Sequence, residues 1–166
     1  INPDVNLEMV LCEGIGPENV DQLVQGADMV ISHESVFVRG GAGSEETIMD
    51  APDARWQYYW DMHVMAAVRL SRAVVPGMRR RGGGVILNNA SICATQPLAH
   101  EPIYNVTKAA LVMLSKNLAR ELIGDNIRVN AVNPGLVLTA GWIEPARAQA
   151  GDAWWSMTKV TPFLAQ

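Results

Sequence analysis

The sequence predicts an α/β fold, a doubly wound parallel sheet with helices on both faces. Short apolar runs of strand length alternate with segments in which apolar residues recur every three or four positions. Such alternation is expected when parallel strands are joined by crossover helices. The chain has 166 residues, of which 49% are hydrophobic, so it has the length of one domain and ample material for a core. We therefore expect residues 1–166 to form a single domain.

The first part of the chain predicts two strands with a short helix between them. Leu7 to Glu13 and Met29 to Ser32 are the strands, and Glu18 to Gln25 is the helix. The stretch from Arg39 to Asp50 is rich in glycine and charge, which is typical of a surface loop. Since Asp50 is followed closely by Pro52, we expect Asp50 to be the N-cap of the next helix.

Two longer helices follow. Trp56 to Val75 predict a helix that ends near Pro76 and carries apolar residues on more than one face. Arg79 to Arg81 indicate a solvated helix end. A second helix is predicted by four leucines at spacings of three and four, which mark one helical face: Leu111, Leu114, Leu118 and Leu122.

A strand is predicted on each side of the second helix. Residues 82–90, GGGVILNNA, give a glycine turn, an apolar run and a polar end, the pattern of a buried strand that ends at a polar edge. Gly124 is the expected C-cap of the helix. Asn126 to Val132 then alternate as a strand that leads into the turn at Pro134 and Gly135.

Three side chains in this region have the chemistry of a proton-transfer site. Ser91 follows a predicted strand, at the sheet edge where open α/β sheets bind their ligands. Tyr104 and Lys108 are four residues apart on a helix and therefore lie on one face. A nearby ammonium favours the phenolate, so we expect Lys108 to lower the pKa of Tyr104. Tyr104 would then exchange a proton with a substrate oxygen that Ser91 holds by a hydrogen bond.

A tyrosine and a lysine at this spacing occur often by chance, but here they stand in an ordered set. Ser91, the segment YNVTK at 104–108, the segment IRVNAVNPG at 127–135 and Thr139 together resemble the short-chain dehydrogenase/reductase family of classical type. The similarity extends from about Asp28 to about Thr139. It implies a Rossmann-type sheet, of which the central and C-terminal portion is present.

By this resemblance the protein would be an oxidoreductase that interconverts an alcohol and a ketone or aldehyde with NAD or NADP. Tyr104 would be the catalytic acid/base and Ser91 the substrate-orienting hydroxyl. Lys108 would activate Tyr104 and bind the nicotinamide ribose. Two alternatives keep the fold without redox activity: a dehalogenase-like enzyme and a non-catalytic interaction protein. The dehalogenase-like group replaces the lysine by arginine, so Lys108 argues against the first.

The resemblance also implies which residues bind the cofactor and the substrate. The cofactor positions, besides Tyr104 and Lys108, are Ser32, His33, Asn89, Pro134, Gly135, Val137 and Thr139. The substrate positions, besides Ser91 and Tyr104, are Ile92, Cys93 and Trp142. For Cys93, the role of a small buried residue is an open alternative.

The sequence departs from the family pattern at two places. Where the family has Asn-Asn-Ala-Gly, this chain has Ser32, His33, Glu34 and Ser35. The pair His33 and Glu34 lacks further ligands, so no metal site is predicted. His63 stands where the family commonly has an asparagine that holds a water beside the lysine. It either continues that proton relay or is a core residue bonded to a backbone carbonyl.

The glycine-rich turn of a dinucleotide site is not found in the sequence, since Gly14 to Gly16 are followed by a short helix and a new strand and not by a long helix. The family pattern therefore predicts about 60 residues, two strand–helix units, before Ile1, and a helix and a strand after Gln166. The choice between NAD and NADP is expected to depend on that first segment.

The composition excludes some classes of binding partner. A net charge of −4 and a pI near 5.3 give no basic surface for nucleic acid. Cys12 and Cys93 lack metal-ligand spacing and indicate a reducing compartment, and no apolar run is long enough to cross a membrane. We therefore expect a cytoplasmic protein, and the resemblance implies that its partner is a small alcohol or carbonyl compound.

Two expectations concern the surroundings of the site. Aromatic residues between Trp142 and Phe163 predict either a lid over an apolar substrate or core packing. By resemblance, the helices 52–76 and 103–123 would pair with a second copy in a homodimer or homotetramer.

Overall fold

A computed structural model of the chain describes residues 7–8, 29–32, 47–98, 101–135 and 148. The chain divides into two compact units, Ile1–Gly135 and Leu136–Gln166, and all the elements named below lie in the first. The prediction of a single domain over residues 1–166 stays a prediction. The helix expected at Glu18 to Gln25 and the aromatic segment from Trp142 to Phe163 lie outside the described residues.

Four parallel strands form one sheet in the order β1-β2-β3-β4. They are β1 (Leu7–Glu8), β2 (Met29–Ser32), β3 (Gly84–Asn89) and β4 (Ile127–Val132). The last three confirm the predicted strands to within two residues. Because the strands are parallel, their carboxyl ends lie at one edge: Ser32 pairs with Asn88, and Asn89 pairs with Val132.

One continuous helical stretch lies between β2 and β3 in the chain. It consists of α1 (Asp53–Trp60), a π-helical segment (Asp61–Met65) and α2 (Ala66–Arg81). The predicted end at Pro76 is wrong, because the helix continues to Arg81 and ends at Gly82, which has a left-handed φ of 84°. Pro76 removes one helical hydrogen bond. The helix continues nevertheless, because burial of Val75 and Met78, on either side of the proline, offsets this loss.

The predicted N-cap at Asp50 is also wrong. Pro52 precedes the first helical residue and is extended, with φ −68° and ψ 148°. The carboxylate of Asp50 instead accepts a 2.6 Å hydrogen bond from the hydroxyl of Thr47 in an exposed turn. The Asp50 side chain, which we expected to cap the helix, therefore stabilises the turn before it.

The second predicted helix is α3 (Pro102–Leu122), and a 3₁₀ turn at Ile123–Asp125 follows it. Gly124 lies within that turn, so its prediction as the C-cap is wrong; Asn126 has the left-handed φ of 57°. Asparagine tolerates this conformation. Its side-chain amide also donates a 3.0 Å hydrogen bond to the carbonyl of Gly82, and its own carbonyl accepts one from the backbone N–H of Gly84.

The core lies between the sheet and the helices α2 and α3. One cluster of buried side chains combines both helices with β3 and β4: Leu70, Val74, Val75, Met78, Ile86, Leu122, Ile127 and Val129. Burying such side chains contributes roughly 1.5–3 kcal/mol each, so this packing fixes α3 against the strand ends. In the part of the chain that the structure describes, no helix is long and apolar enough to span a membrane.

Candidate active site

Ser91 lies just beyond β3, in an extended conformation at the start of a short 3₁₀ turn, Ile92–Ala94. Its side chain is buried and accepts a 3.2 Å hydrogen bond from the backbone N–H of Cys93. Backbone pairing continues past the strands, because the N–H of Ile92 donates to the carbonyl of Pro134 at 2.9 Å. The predicted substrate position Ile92 and the predicted cofactor position Pro134 are therefore neighbours at the carboxyl edge of the sheet.

Tyr104 and Lys108 lie on the first two turns of α3 and share a face, as predicted. The ammonium nitrogen of Lys108 is 5.6 Å from the centre of the Tyr104 ring. It donates a 2.9 Å hydrogen bond to the backbone carbonyl of Asn89, and the lysine is only 1% exposed. Tyr104 is hydrogen-bonded to the side chain of Ser91. The structure thus brings Ser91, Tyr104 and Lys108 together.

The pKa of Tyr104 is raised above its ordinary value of 10.0, chiefly because burial deprives the phenolate of hydration. The hydrogen bond from Ser91 acts in the opposite direction, and the negative potential of Cys93 and Glu101 adds to the increase. Our expectation that Lys108 would lower this pKa is wrong for the protein as it stands. The ammonium lies over the ring and donates to Asn89, so it does not offset the loss of hydration.

His63 lies in the π-helical segment and is completely buried. Its ring meets the rings of Tyr59 and Tyr104 edge to face, with centroid distances of 5.5 and 5.4 Å. The atom Nδ1 lies 2.8 Å from the hydroxyl oxygen of Thr107. Burial, and secondarily the charge of Lys108, lowers the pKa of His63 from 6.5 to about 3. The partner of Nδ1 is thus a side chain, and the ring is neutral near pH 7.

Two supporting residues were missed in the sequence. Thr107 contacts His63, and the side chain of Asn105 binds both backbone groups of Leu98, donating to its carbonyl at 2.8 Å and accepting from its N–H at 3.2 Å. Asparagine and threonine are weak helix formers that favour side-chain to backbone hydrogen bonds. Their presence inside the helical segment YNVTK is the sequence signal that could have identified them. Asn105 thereby ties Leu98, which follows the Ser91 turn, to the first turn of α3.

The remaining predicted positions divide into two groups. Ser32 is the last residue of β2 and Asn89 the last of β3, while Gly135 lies beside Ile92, whose Cδ1 would be 3.9 Å from an added Cβ. Cys93 is buried with a free thiol. His33, Val137, Thr139 and Trp142 lie outside the described residues.

The residues at this edge fit the sugar and ring end of a dinucleotide. The ammonium of Lys108 carries three donors, which suit ribose hydroxyl groups, and the backbone of Pro134 and Gly135 supplies polar groups at the end of a parallel strand, where dinucleotides bind. Within the described ranges, no group of three or more histidine, cysteine or acidic residues has the arrangement of a metal site.

Comparison with known proteins agrees with this arrangement. The model of the short chain dehydrogenase family matches residues 11–149. Dehydrogenase/reductase SDR family member 4 of Bos taurus is 39% identical over 139 residues, which cover 81% of this chain and 48% of that protein. An uncharacterized oxidoreductase of Bacillus subtilis, YvrD, is 40% identical over 106 residues, 62% of this chain and 40% of that protein. The chain spans about half the length of the relatives it matches.

Solved structures have the same fold, which confirms the predicted fold class. L-sorbose reductase from Gluconobacter frateurii, in complex with NADPH and L-sorbose, is 56% identical with a TM-score of 0.71, over 85% of this chain and 55% of that one. Acetoin dehydrogenase from Enterobacter cloacae is 28% identical with a TM-score of 0.67, over 78% of this chain and 51% of that one. With the serine, tyrosine and lysine in place, the chain belongs to the short-chain dehydrogenase family.

Proposed function

We propose that this chain carries the proton-transfer site of an oxidoreductase that interconverts an alcohol and a ketone or aldehyde with NADP or NAD. The observation that carries the proposal is the contact of Tyr104 with Ser91 on one side and with Lys108 on the other. A bound nicotinamide would supply or accept the hydride at the substrate carbon. The protein's own residues would manage the substrate oxygen.

In the direction of reduction, Tyr104 gives its phenolic proton to the substrate oxygen while the hydroxyl of Ser91 binds the same oxygen. The raised pKa of Tyr104 keeps the phenol protonated before the reaction, which suits an acid. The phenolate that forms is then stabilised by its hydrogen bond with Ser91, the contact that lowers the pKa of Tyr104. In oxidation, the same atoms take the proton from the alcohol.

The L-sorbose reductase complex supports a finer proposal, since that protein is 56% identical over 85% of this chain and binds NADPH and L-sorbose. We propose NADPH as the preferred cofactor and a small polyhydroxylated ketone as the substrate. A hydrophilic substrate of this kind differs from the apolar one that the aromatic residues near the C-terminus suggested. A screen of ketoses against apolar ketones of similar size distinguishes the two classes.

The test of the function is Tyr104→Phe in the full-length protein. The variant lacks the proton donor but keeps the ring, so we expect turnover to fall at least ~100-fold, with cofactor binding kept within a few-fold. Tyr58→Phe is the matched control, because Tyr58 is exposed on α1 and, among the described rings, its own ring packs only against that of Tyr59. Nicotinamide-dependent turnover near the wild-type rate in Tyr104→Phe would refute the proposal.

We also propose that two or four copies assemble through the helices 52–76 and 103–123. The support is a set of large apolar side chains exposed on α1 and α3: Tyr58, Trp60, Val106 and Met113. Light scattering of the full-length protein should give a dimer or tetramer mass, and Met113→Glu should lower it. A monomer at micromolar concentration would contradict this assembly.

A further inference from the structure

A buried polar pair joins β3 to the middle of α3. The side-chain nitrogen of Asn88 donates a 2.8 Å hydrogen bond to the hydroxyl oxygen of Ser115, and the two residues are only 1% and 2% exposed. The hydroxyl of Ser115 gives its one proton to the carbonyl of Leu111, also at 2.8 Å. Since a carbonyl only accepts, Ser115 is left as an acceptor and Asn88 must be the donor. The contact therefore has a fixed direction.

The surroundings of Asn88 are apolar. Ile86 is two residues earlier, on the same face of β3, and belongs to the core cluster that also contains Leu122 of α3. Apolar side chains alone would hold the helix on the sheet here, and burying an amide adds a desolvation cost. In some proteins, a buried polar residue in an apolar interface selects one alignment of the packed elements. The Asn88 contact has the features of such a device.

The apolar face of α3 does not define its own position along the strand. Four leucines recur on it at spacings of three and four: Leu111, Leu114, Leu118 and Leu122. A shift of α3 by one turn, about 5.4 Å, would replace each leucine by another apolar residue. It would also bring Leu111 or Ala119, four positions either side of Ser115, opposite Asn88. Neither side chain accepts a hydrogen bond, so only the observed alignment satisfies Asn88.

A second hydrogen bond between the same two elements lies nearer the sheet edge. The carbonyl of Asn89 accepts a 2.9 Å hydrogen bond from Lys108, and Lys108 is seven residues, about two turns, before Ser115 on α3. The strand residue that comes later thus pairs with the helix residue that comes earlier, because α3 runs antiparallel to β3. The position of α3 along β3 therefore decides whether Lys108 reaches the sheet edge.

We propose that Asn88 and Ser115 are positioning residues for the reaction, and we call their hydrogen bond the register pin. The pin fixes α3 along β3. It thereby sets the distance between Ser91, which follows β3, and Tyr104, on the first turn of α3. A misplacement of 1 Å can cost ~100-fold in rate. The kinetic part of this inference rests on the proposed function, whereas the position of α3 is measured without activity.

The first measurement is the crystal structure of full-length Asn88→Leu, superposed on the wild type through the strands. Leucine has a similar volume but no donor. We expect α3 to move along its axis until the distance from Lys108 to the carbonyl of Asn89 exceeds about 3.2 Å, the usual limit of a hydrogen bond. A distance that stays at 2.9 Å would overturn the proposal, even if the protein proved to be an active oxidoreductase. If Asn88→Leu does not fold, Ser115→Ala takes its place.

The second measurement compares substitutions at Ser115, with kcat taken well below the thermal midpoint of every variant. Ser115→Ala removes the acceptor, and we expect kcat to fall about tenfold. Ser115→Thr keeps the hydroxyl and should restore kcat, which a loss of stability alone would not predict. Ser71→Ala is the matched control, since it removes a buried hydroxyl of α2 that has no hydrogen-bond partner among the described residues. Wild-type kcat in Ser115→Ala would overturn the proposal.

The third measurement combines the two changes in one protein. Each single substitution already removes the pin, so the double variant Asn88→Leu/Ser115→Ala should have a kcat within about threefold of that of Asn88→Leu alone. Losses of kcat that multiply would show that Asn88 and Ser115 act separately, and would end the proposal.

Discussion

The ammonium of Lys108 donates its hydrogen bond to the backbone carbonyl of Asn89, 19 positions earlier in the chain. This contact ties the second turn of α3 to the last residue of β3, so the lysine is held at the sheet edge by the backbone. The adjacent strand end, at Val132, belongs to the same edge. Burying a charged side chain costs free energy that a single hydrogen bond only partly offsets. We therefore expect Lys108 to matter more for function than for stability.

We predict that Lys108→Met uncouples activity from stability. Methionine fills a similar volume and removes the cost of burying the ammonium charge. This removal offsets the ~1–3 kcal/mol lost when the Lys108 hydrogen bond to the carbonyl of Asn89 is gone. Turnover should fall by roughly 100-fold, while the thermal midpoint should move by less than about 8 °C. Lys116→Met, at an exposed position of the same helix, should change neither. Normal turnover in Lys108→Met would show that the ammonium is not needed.

The buried His63 should make the fold sensitive to acid. Its pKa is about 3 in the folded protein and 6.5 ordinarily, so below pH 6.5 the unfolded chain binds a proton that the folded one does not. The free energy of unfolding should therefore decrease as the pH falls from about 6.5 towards 3, by at most ~1.4 kcal/mol per pH unit.

Urea unfolding at pH 7 and pH 5 measures this effect, with His63→Phe as the reference. The pKa of Asp61 is lowered by its hydrogen bonds to Gln57 and Arg69. Protonation of this carboxyl on acidification therefore also lowers the free energy of unfolding. Its contribution cancels when the two proteins are compared at the same pH. The wild type should lose more stability than His63→Phe between the two values, by roughly 2 kcal/mol. Equal losses would mean that His63 is protonated or exposed in the folded state.

Gly83 should not tolerate a side chain. Its φ is 149°, and an added Cβ would lie 2.7 Å from both the backbone oxygen and the side-chain nitrogen of Asn126. We expect Gly83→Ala to destabilise the protein by roughly 2–4 kcal/mol, from backbone strain and overpacking. Gly124→Ala has open space and should lie within ~1 kcal/mol of the wild type. Similar denaturation midpoints for the two variants would contradict the arrangement of this turn.

Asn105 should affect substrate binding more than chemistry. Its amide holds Leu98, which lies between Ser91 and Tyr104 in the chain. Asn105→Ala frees Leu98, so the entropy of ordering this segment must be lost again on substrate binding, and we expect KM to rise about tenfold with kcat kept within a few-fold. Asn117→Ala, at an exposed position of the same helix, serves as the control. A lower kcat at unchanged KM would indicate that the clamp supports Tyr104 itself.

Much of the site could be predicted from sequence because its parts are local. The spacing of Tyr104 and Lys108 places them on one helical face whatever surrounds the helix. The polar end of the run before Ser91 likewise indicated the edge of the sheet, and the strands at 29–32 and 127–132 were found by their apolar pattern. The errors fell where two local signals competed, as at Pro76 and Gly124. There the burial of neighbouring residues and the side chain of Asn126 decided the outcome.

By itself, the sequence determined the residue types, their order and the parallel α/β fold, because these depend on periodicity and spacing. Only the tertiary structure decided the protonation chemistry. The pKa of Tyr104 is raised and that of His63 lowered because packing removes water from both, and hydration is a property of the whole fold. The contact of His63 with Thr107 joins residues 44 positions apart, and no local pattern specifies it.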